Sequence, residues 1–344
     1  GSSPSLKILE ISVEESATGE ISAGAGIGTN GSSLMFSVSE NNWLGKGLYL
    51  NSQVNFSKEK VVGSLLLNQP NYNHTGNAVF TQFDISSADY AKTSGFESSK
   101  TGIKLGTEFE QWNDIYLAPG LSFSYEDIEV QSTASSSIKK MDGSFTNLDF
   151  DYRVSFDSRN QSYQPTSGHL TRFLQSLPIL QDKSSLSNGF DTIHYKGLSE
   201  DVIGSLKFYV RSIHGVDGDV RLTSRLHLPQ TKLRGFESRR IGPKDGSDFV
   251  GGNYATAVSF EGQFPNLLPD DFKTDISMFL DSGNVWAVDY DSSLDNSSTI
   301  RSAVGLSANV FTTIGPLSFT LAQALSKSST DVTETFNFRL GTSF

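Results

Sequence analysis

The segment QTKLRGFESRRIGPKDG, residues 230–246, gathers five cations (Lys232, Arg234, Arg239, Arg240 and Lys244) around Gly235 and Phe236. Further along, Glu261 stands in YATAVSFEG and Asp281 in KTDISMFLDSGNVW. A guanidinium and two carboxylates can form a charge-assisted, bidentate contact, the kind that offsets the cost of taking an arginine out of water. Such a contact fastens one part of a chain to another and performs no covalent step. The five histidines, His74, His169, His194, His214 and His227, are scattered, and no motif sets a nucleophile and a carboxylate beside any of them. An enzyme is therefore not expected, and neither is a cofactor. Cysteine is absent, which rules out disulfides and thiolate metal sites. No His/Asp/Glu cluster has metal-ligand spacing, and Asp289, Asp291 and Asp295 in the acidic stretch 287–295 read as solubilising charges.

The elements that position these residues have to be strands. Of 344 residues, 36% are hydrophobic, with 31 glycines and 24 phenylalanines, and the mean hydropathy is −0.27. Low hydropathy with many aromatics suits strands whose two faces differ. The net charge of −11 excludes a cationic nucleic-acid surface. No run approaches the ~18 apolar residues of a membrane-spanning helix, a test that leaves open a membrane barrel, whose strands need only about 9–11 residues.

Alternation is clean at the C-terminal end, where Phe336, Phe338, Leu340 and Phe344 share one face and Asn337, Arg339, Gly341 and Ser343 the other. Ile276, Met278 and Leu280 likewise oppose Asp275, Ser277, Phe279 and Asp281. Such segments are predicted at 19–28, 32–39, 46–56, 61–69, 77–85, 99–108, 113–124, 143–155, 168–176, 189–198, 202–213, 253–264, 272–282, 301–312, 316–325 and 335–344. Their number is even, as closure of a bacterial barrel requires. Gaps after even strands are mostly short, whereas those after odd strands include the long polar pieces 86–98, 125–142, 177–188, 214–252 and 283–300. Short turns at one end and long loops at the other is the outer-membrane arrangement. Pro119 fits a strand only where the ladder is irregular, and Trp43, Trp112 and Trp286 sit at strand ends, where a bilayer interface would hold them.

With the strands placed, KLRGFESRRIGPKDG, FLDSGNVW, ENNWLGKG, DSRNQSYQPTSG and the aromatic-ended FNFRLGTSF together resemble, in order over residues 16–344, the C-terminal barrel of the BamA family of outer-membrane protein assembly factors. That superfamily also includes secretion and organelle-membrane translocases. The resemblance implies an all-β, transmembrane antiparallel barrel of 16 strands over residues 19–344, with a long extracellular loop folded into the lumen, in the outer membrane of a Gram-negative bacterium. Residues 1–18 are expected to be a cloning scar and the stub of the last periplasmic POTRA domain. The implied partners are unfolded outer-membrane β-barrel clients and outer-membrane lipids, with lipoproteins of the BAM complex and periplasmic chaperones engaged through POTRA domains. The loop is expected to carry Arg234, Gly235 and Phe236 to the inner wall, although HLPQT stands where the family often has a glycine pair just before the motif.

Strand alternation supports that placement on its own terms. Glu261 shares a face with Ser259, Ala257 and Ala255, and Asp281 with Ser277 and Phe279, so two neighbouring strands present carboxylates to one arginine. Arg239, Arg240 and Lys244 are expected as supports. Gly24, Gly26 and Gly28 in the first strand, with Gly341 and Phe344 in the last, are expected to form a weak lateral seam, since glycine packs poorly in a strand. The implied function is folding and insertion of client barrels through that seam. The alternative is a passive pore or a dedicated secretion channel.

Overall fold

A strand with one apolar and one polar side can lie between lipid and water, but its edges must be paired, and closure achieves this. In a computed structural model of the chain, sixteen antiparallel strands form a closed barrel. The structure describes residues 12, 14, 16–28, 31–162, 164–269, 274–295, 297–312 and 315–340. The wall begins with β1 (Gly19–Gly28), β2 (Gly31–Trp43), β3 (Leu48–Ser57), β4 (Lys60–Gln69), β5 (Ala78–Tyr90) and β6 (Phe96–Trp112). It continues with β7 (Ile115–Val130), β8 (Gly143–Asp157), β9 (Gly168–Gln181), β10 (Ser185–Ser199) and β11 (Val202–Gly215). A two-stranded hairpin, β12 (Lys244–Asp245) and β13 (Asp248–Phe249), lies within the longest loop. The wall resumes with β14 (Tyr254–Phe264), β15 (Thr274–Trp286), β16 (Arg301–Thr312), β17 (Gly315–Ser326) and β18 (Phe336–Leu340). Of the expected N-terminal remnant, only residues 12, 14 and 16–18 are described, and they belong to no strand or helix.

Each predicted strand overlies an observed barrel strand, but two of the expected long loops, 86–98 and 177–188, are mostly strand, and β7 extends into a third, 125–142. β5 runs to Tyr90 and β6 starts at Phe96, with only the short α1 (Ala91–Ser94) and Gly95 between them. β7 runs on to Val130 before α2 (Ser136–Lys139), and β9 and β10 are separated by residues 182–184 alone. The β5 and β7 extensions are rich in polar residues such as Ser86, Ser87, Asp89, Glu126, Asp127 and Glu129, which blurs alternation there, whereas the β9 extension is an apolar run from Leu177 to Leu180. Pro119 is accommodated by a break in one ladder. On the β6 side, register passes from Gly106↔Gly120 to Phe109↔Leu117 without pairing Pro119, while on the other side it stays opposite Tyr152.

The outward face is apolar, with Phe36, Phe83, Phe123, Phe260, Leu306 and Leu321 all exposed. Trp43 and Trp112 end β2 and β6 and are also exposed, while Trp286 ends β15 at the opposite rim, stacked on Tyr254 at 5.4 Å. Both rims therefore carry amphipathic rings. The inward face changes character around the barrel. Along β3–β5 it is polar, with Asn51, Gln53, Asn55, Ser64, Gln82 and Asp84 around one cavity. Along β14–β17 it is built of small residues, among them Ala255, Ala257, Ala303 and Ala322, all buried.

Those small residues are covered by the loop between β11 and β14. Leu228, Leu233, Phe236 and Ile241 of the loop pack with Ala255, Ala257, Val285 and Ala303 of the wall. A second cluster at the long-loop rim joins Phe96, Ile128 and Phe145 to Ala134, Ile138 and Met141 around α2 and to Leu222, Val250 and Val288. The long loop is thus packed at the lumen wall and again at the mouth. Gly305 on β16 makes room for this arrangement, because a Cβ there would meet the Phe279 ring at 2.5 Å and the Leu321 carbonyl oxygen at 2.2 Å. Gly305→Ala is expected to destabilise the barrel by about 1–3 kcal/mol through overpacking. Gly262→Ala, whose Cβ would first meet Phe264 at 3.6 Å, is expected to be tolerated. Thermal unfolding midpoints of the two variants in detergent decide between these outcomes.

Candidate functional site: an arginine inside the barrel wall

On β15, Asp281 is 0% exposed, and Phe279 two residues earlier is 1% exposed. On β14, Ser259 lies directly opposite Asp281 in the ladder, and Glu261 lies opposite Phe279. Inward alternation therefore groups two carboxylates, a hydroxyl and an aromatic face on one patch. The loop brings Arg234 to that patch. Its Nε and Nη2 donate to the two Asp281 oxygens, each at 2.8 Å, as a bidentate fork. Nη1 donates to Glu261 Oε2 at 2.9 Å and Nη2 to Ser259 Oγ at 3.2 Å. The Arg234 backbone N–H adds a bond to Asp281 Oδ2 at 3.0 Å. Beneath the plane of the guanidinium, the Phe279 ring centre is 3.4 Å from Cζ, a cation–π contact away from bulk water.

The electrostatics follow from burial against pairing. Burial alone would lower the Arg234 pKa, but the bonded Asp281 and nearby Glu261 carboxylates reverse that and hold it above the ordinary arginine value. Glu261 is shared, since Lys207 Nζ lies 3.0 Å from the same Oε2. Asp281 takes no cation besides Arg234 among the described ion pairs. Gly235 has φ +89, and a Cβ there would lie 3.1 Å from Ala303 Cβ and 3.2 Å from Ala322 Cβ. Both the left-handed backbone and the close approach to the wall favour glycine at this position. Phe236, 1% exposed, completes the loop's seat.

The expected supports are placed elsewhere. Arg239 lies over the Tyr90 ring at 3.9 Å and donates to Ser94 Oγ at 3.4 Å. Arg240 pairs with Glu237 at 3.6 Å. Lys244 sits over the Phe249 ring at 5.3 Å within the β12–β13 hairpin. The loop's turn after Phe236 carries these three side chains away from β14 and β15, and sequence spacing alone did not show that turn. The acidic stretch also departs from expectation. Asp289 bonds the Arg225 guanidinium and accepts from the Val220 N–H at 2.7 Å. Asp291 caps Ser293, and Asp295 accepts from the Ala287 and Ser297 N–H groups. They hold turns together rather than only solubilising them.

Other buried ion pairs fasten the remaining loops and were not anticipated. Arg301 on β16 forks to Asp331 with both bonds at 2.8 Å, and both side chains are 0% exposed. Arg221 donates to Asn147 at 2.8 Å and lies 3.5 Å from Glu126. The sequence signal was slight, namely two arginines four residues apart in RLTSR and one arginine at the head of a strand.

Among the expected seam residues, Gly24 and Gly26 alternate with outward Ala23 and Ala25, opposite Met35 and Ser33 of β2. Gly28 pairs with Arg339 of β18. Gly341 and Phe344 lie outside the described residues. Pairing around this junction is uneven. β1 matches β2 throughout, from Gly19↔Glu40 to Gly28↔Gly31. β18 matches β17 from Leu317↔Leu340 to Leu321↔Phe336. Between β1 and β18, Gly28↔Arg339 is the one register pair among the described residues.

A closed sixteen-strand barrel with an arginine-tipped loop seated on its inner wall defines a class of outer-membrane protein, and the sequence comparison agrees. The Omp85 superfamily domain matches residues 42–344, and the chain belongs to that superfamily. It is a β-barrel protein of the Gram-negative outer membrane. It is 24% identical to the outer membrane protein assembly factor BamA of Neorickettsia risticii over 98% of this chain. It is also 24% identical to BamA of Neisseria meningitidis serogroup B, again over 98% of this chain. The chain spans 46% and 48% of those two proteins' own lengths. The crystal structure of BamA from Haemophilus ducreyi lacking POTRA domains 1–3 superposes with a TM-score of 0.86 at 19% identity, covering 96% of this chain and 71% of that one.

Two outcomes are expected. Arg234→Ala leaves the buried Asp281 carboxylate without its cation and should cost about 3–5 kcal/mol. Arg234→Lys, which keeps the charge but loses the fork, should recover only part of that loss. An unchanged thermal midpoint in Arg234→Ala would remove the arginine from any structural role. The second concerns His227, in the same loop, whose ring nitrogens have no hydrogen-bond partner among the described residues. Burial, with Arg239 and Arg225 nearby, holds its pKa well below the ordinary imidazole value. The unfolded chain binds this proton below about pH 6.5 while the folded chain refuses it. His227 should therefore leave stability intact above that pH and lower it by up to roughly 1 kcal/mol per pH unit below it. Midpoints followed from about pH 7.5 to 5 should fall less steeply in His227→Leu. Parallel curves would show that His227 contributes nothing to the pH dependence.

Proposed function

We propose that this barrel folds and inserts β-barrel clients into the outer membrane through a lateral seam between β1 and β18. The observation that carries the reading is the Omp85 barrel itself, similar over 98% of this chain to BamA, with Gly24, Gly26 and Gly28 on β1, the strand that closes the barrel against β18. Each ladder hydrogen bond contributes about 0.5–1.5 kcal/mol net, so opening a few of them costs only a few kcal/mol. The freed edge of β1 would offer a row of N–H and C=O groups to an incoming strand, which could add by β-augmentation. On this reading Gly24, Gly26 and Gly28, with Gly341 and Phe344, belong to the seam. Arg234, Gly235, Phe236, Glu261, Phe279 and Asp281 form the lock that seats the loop.

The role needs no covalent step and is not an enzyme's. Unfolded barrel clients and the surrounding lipid would meet the barrel directly, and lipoproteins and chaperones would be engaged by POTRA domains ahead of it. A passive pore is disfavoured by the loop packed across β14–β16, where Leu228, Leu233 and Phe236 occupy lumen that a pore would leave to water.

A disulfide between Gly28→Cys and Arg339→Cys is expected to abolish insertion of unrelated barrel substrates into liposomes, with activity returning on reduction. Full activity in a verified cross-linked barrel would sink the seam reading. Steady ion conductance without any acceleration of client folding would favour the pore.

A further inference from the structure

β18 is reached through residues 327–335, and this lead-in is bonded to the lumenal loop. The Glu237 N–H donates to the Val332 carbonyl at 3.0 Å, the Val332 N–H to the Arg240 carbonyl at 3.1 Å, and the Glu334 N–H to the Gly235 carbonyl at 3.0 Å. Phe236 and Thr333 face each other as an antiparallel bridge. Side chains reinforce the pairing. The Gln230 amide bonds the Glu334 carboxylate and donates to the Phe236 carbonyl at 3.2 Å. Asn337, the second residue of β18, donates to Glu334 at 3.1 Å and to Gln230 at 3.4 Å.

We infer that residues 235–240 are a clasp on the lead-in of the last strand, so that the seating of Arg234 on Asp281 and the position of β18 are a single coupled equilibrium. Three observations carry this. The clasp starts at Gly235, the residue after Arg234, so little slack separates the two contacts. Gly235 has left-handed backbone and lies so near the wall that an added Cβ would stand 3.1 Å from Ala303 Cβ and 3.2 Å from Ala322 Cβ, which leaves little room between the two contacts. Among the described residues β18 is matched from Phe336 to Leu340 on β17 and at Arg339 on β1, and its lead-in is otherwise held by the Arg301–Asp331 fork and the Ala322 N–H to Thr335 carbonyl bond, so the clasp is the attachment of residues 332–334. Moving residues 332–334 away from the wall must either break the paired backbone or draw Arg234 off its carboxylates. Gln230 and Glu334 are positioning residues in this scheme. The coupling is independent of any client, and only its consequence for insertion rests on the proposed seam.

Coupling of this kind is reciprocal, and backbone hydrogen exchange in the detergent-solubilised chain reads it without an assembly assay. Arg234→Lys is expected to speed exchange in segment 331–338 by roughly tenfold or more, as loss of a charge-assisted bond implies. Segment 148–156, on the far wall, should be unchanged. Conversely, Glu237→Pro, which removes one clasp donor, is expected to speed exchange of the Arg234 N–H. If Arg234→Lys does not fold, Gln230→Ala provides the same readout with the arginine cluster intact. Unchanged exchange at 331–338 in a folded Arg234→Lys or Gln230→Ala barrel overturns the clasp. So does acceleration spread equally over 148–156. Loss of client insertion with normal coupling would count against the seam alone.

Discussion

The structure turns on one constraint, that a carboxylate removed from water inside a β-wall must be given a cation. Asp281 is 0% exposed and lies on the inward face of β15. Left alone there it would cost several kcal/mol. Arg234 meets it with a fork, a backbone N–H and an aromatic floor, and the rest of the site follows from that meeting. The loop has to cross the lumen, so the wall beneath it is built of Ala255, Ala257 and Ala303 rather than larger residues. It has to turn immediately after the arginine, so the next residue is Gly235. It has to exclude water around the pair, so Phe236 and Phe279 are each 1% exposed.

The same solution recurs around the long-loop end of the barrel. Arg225 with Asp289, Arg301 with Asp331, and Arg221 with Asn147 and Glu126 fasten other segments to one another or to the wall. Arginine suits this work because its rigid fork satisfies both oxygens of one carboxylate at once. In a chain with 38 acidic side chains against 27 lysines and arginines, buried arginines find carboxylates without difficulty. Of the basic cluster at residues 230–246, Arg234 is the cation that meets carboxylates of the wall.

The barrel also divides unevenly between rigid and yielding parts. β14–β17 carry the packed loop with the Arg234 and Arg301 ion pairs on one arc of the wall. Across the junction of β18 and β1 lie the small and hydroxyl-bearing Gly24, Gly26, Ser33 and Ser37, followed by a polar, cavity-lined stretch along β3–β5. The lead-in to β18 bridges the two regions through its backbone bonds to the loop.

Much of this was legible in the sequence, because a strand's period of two is absolute. Once residues 253–264 and 272–282 are read as strands, Glu261, Phe279 and Asp281 share one face, which agrees with the destination that the family resemblance implies for the arginine-glycine-phenylalanine ahead of them. The strand count was legible for the same reason. Strand ends were not, since the extensions of β5 and β7 are rich in polar residues such as Asp89, Glu126 and Asp127, which blur alternation, and the β9 extension is an apolar run around Pro178. The fates of Arg239, Arg240 and Lys244 were not legible either, because a loop has no period and its turns are set by what it packs against, here Tyr90, Glu237 and Phe249. The sequence by itself determined the strands, their facing and the chemistry of the central pair. Only the tertiary structure decided which loop cations were buried, how small the wall beneath them had to be, and that the loop is bonded to the lead-in of the last strand, because those contacts join residues whose separation along the chain carries no regular signal.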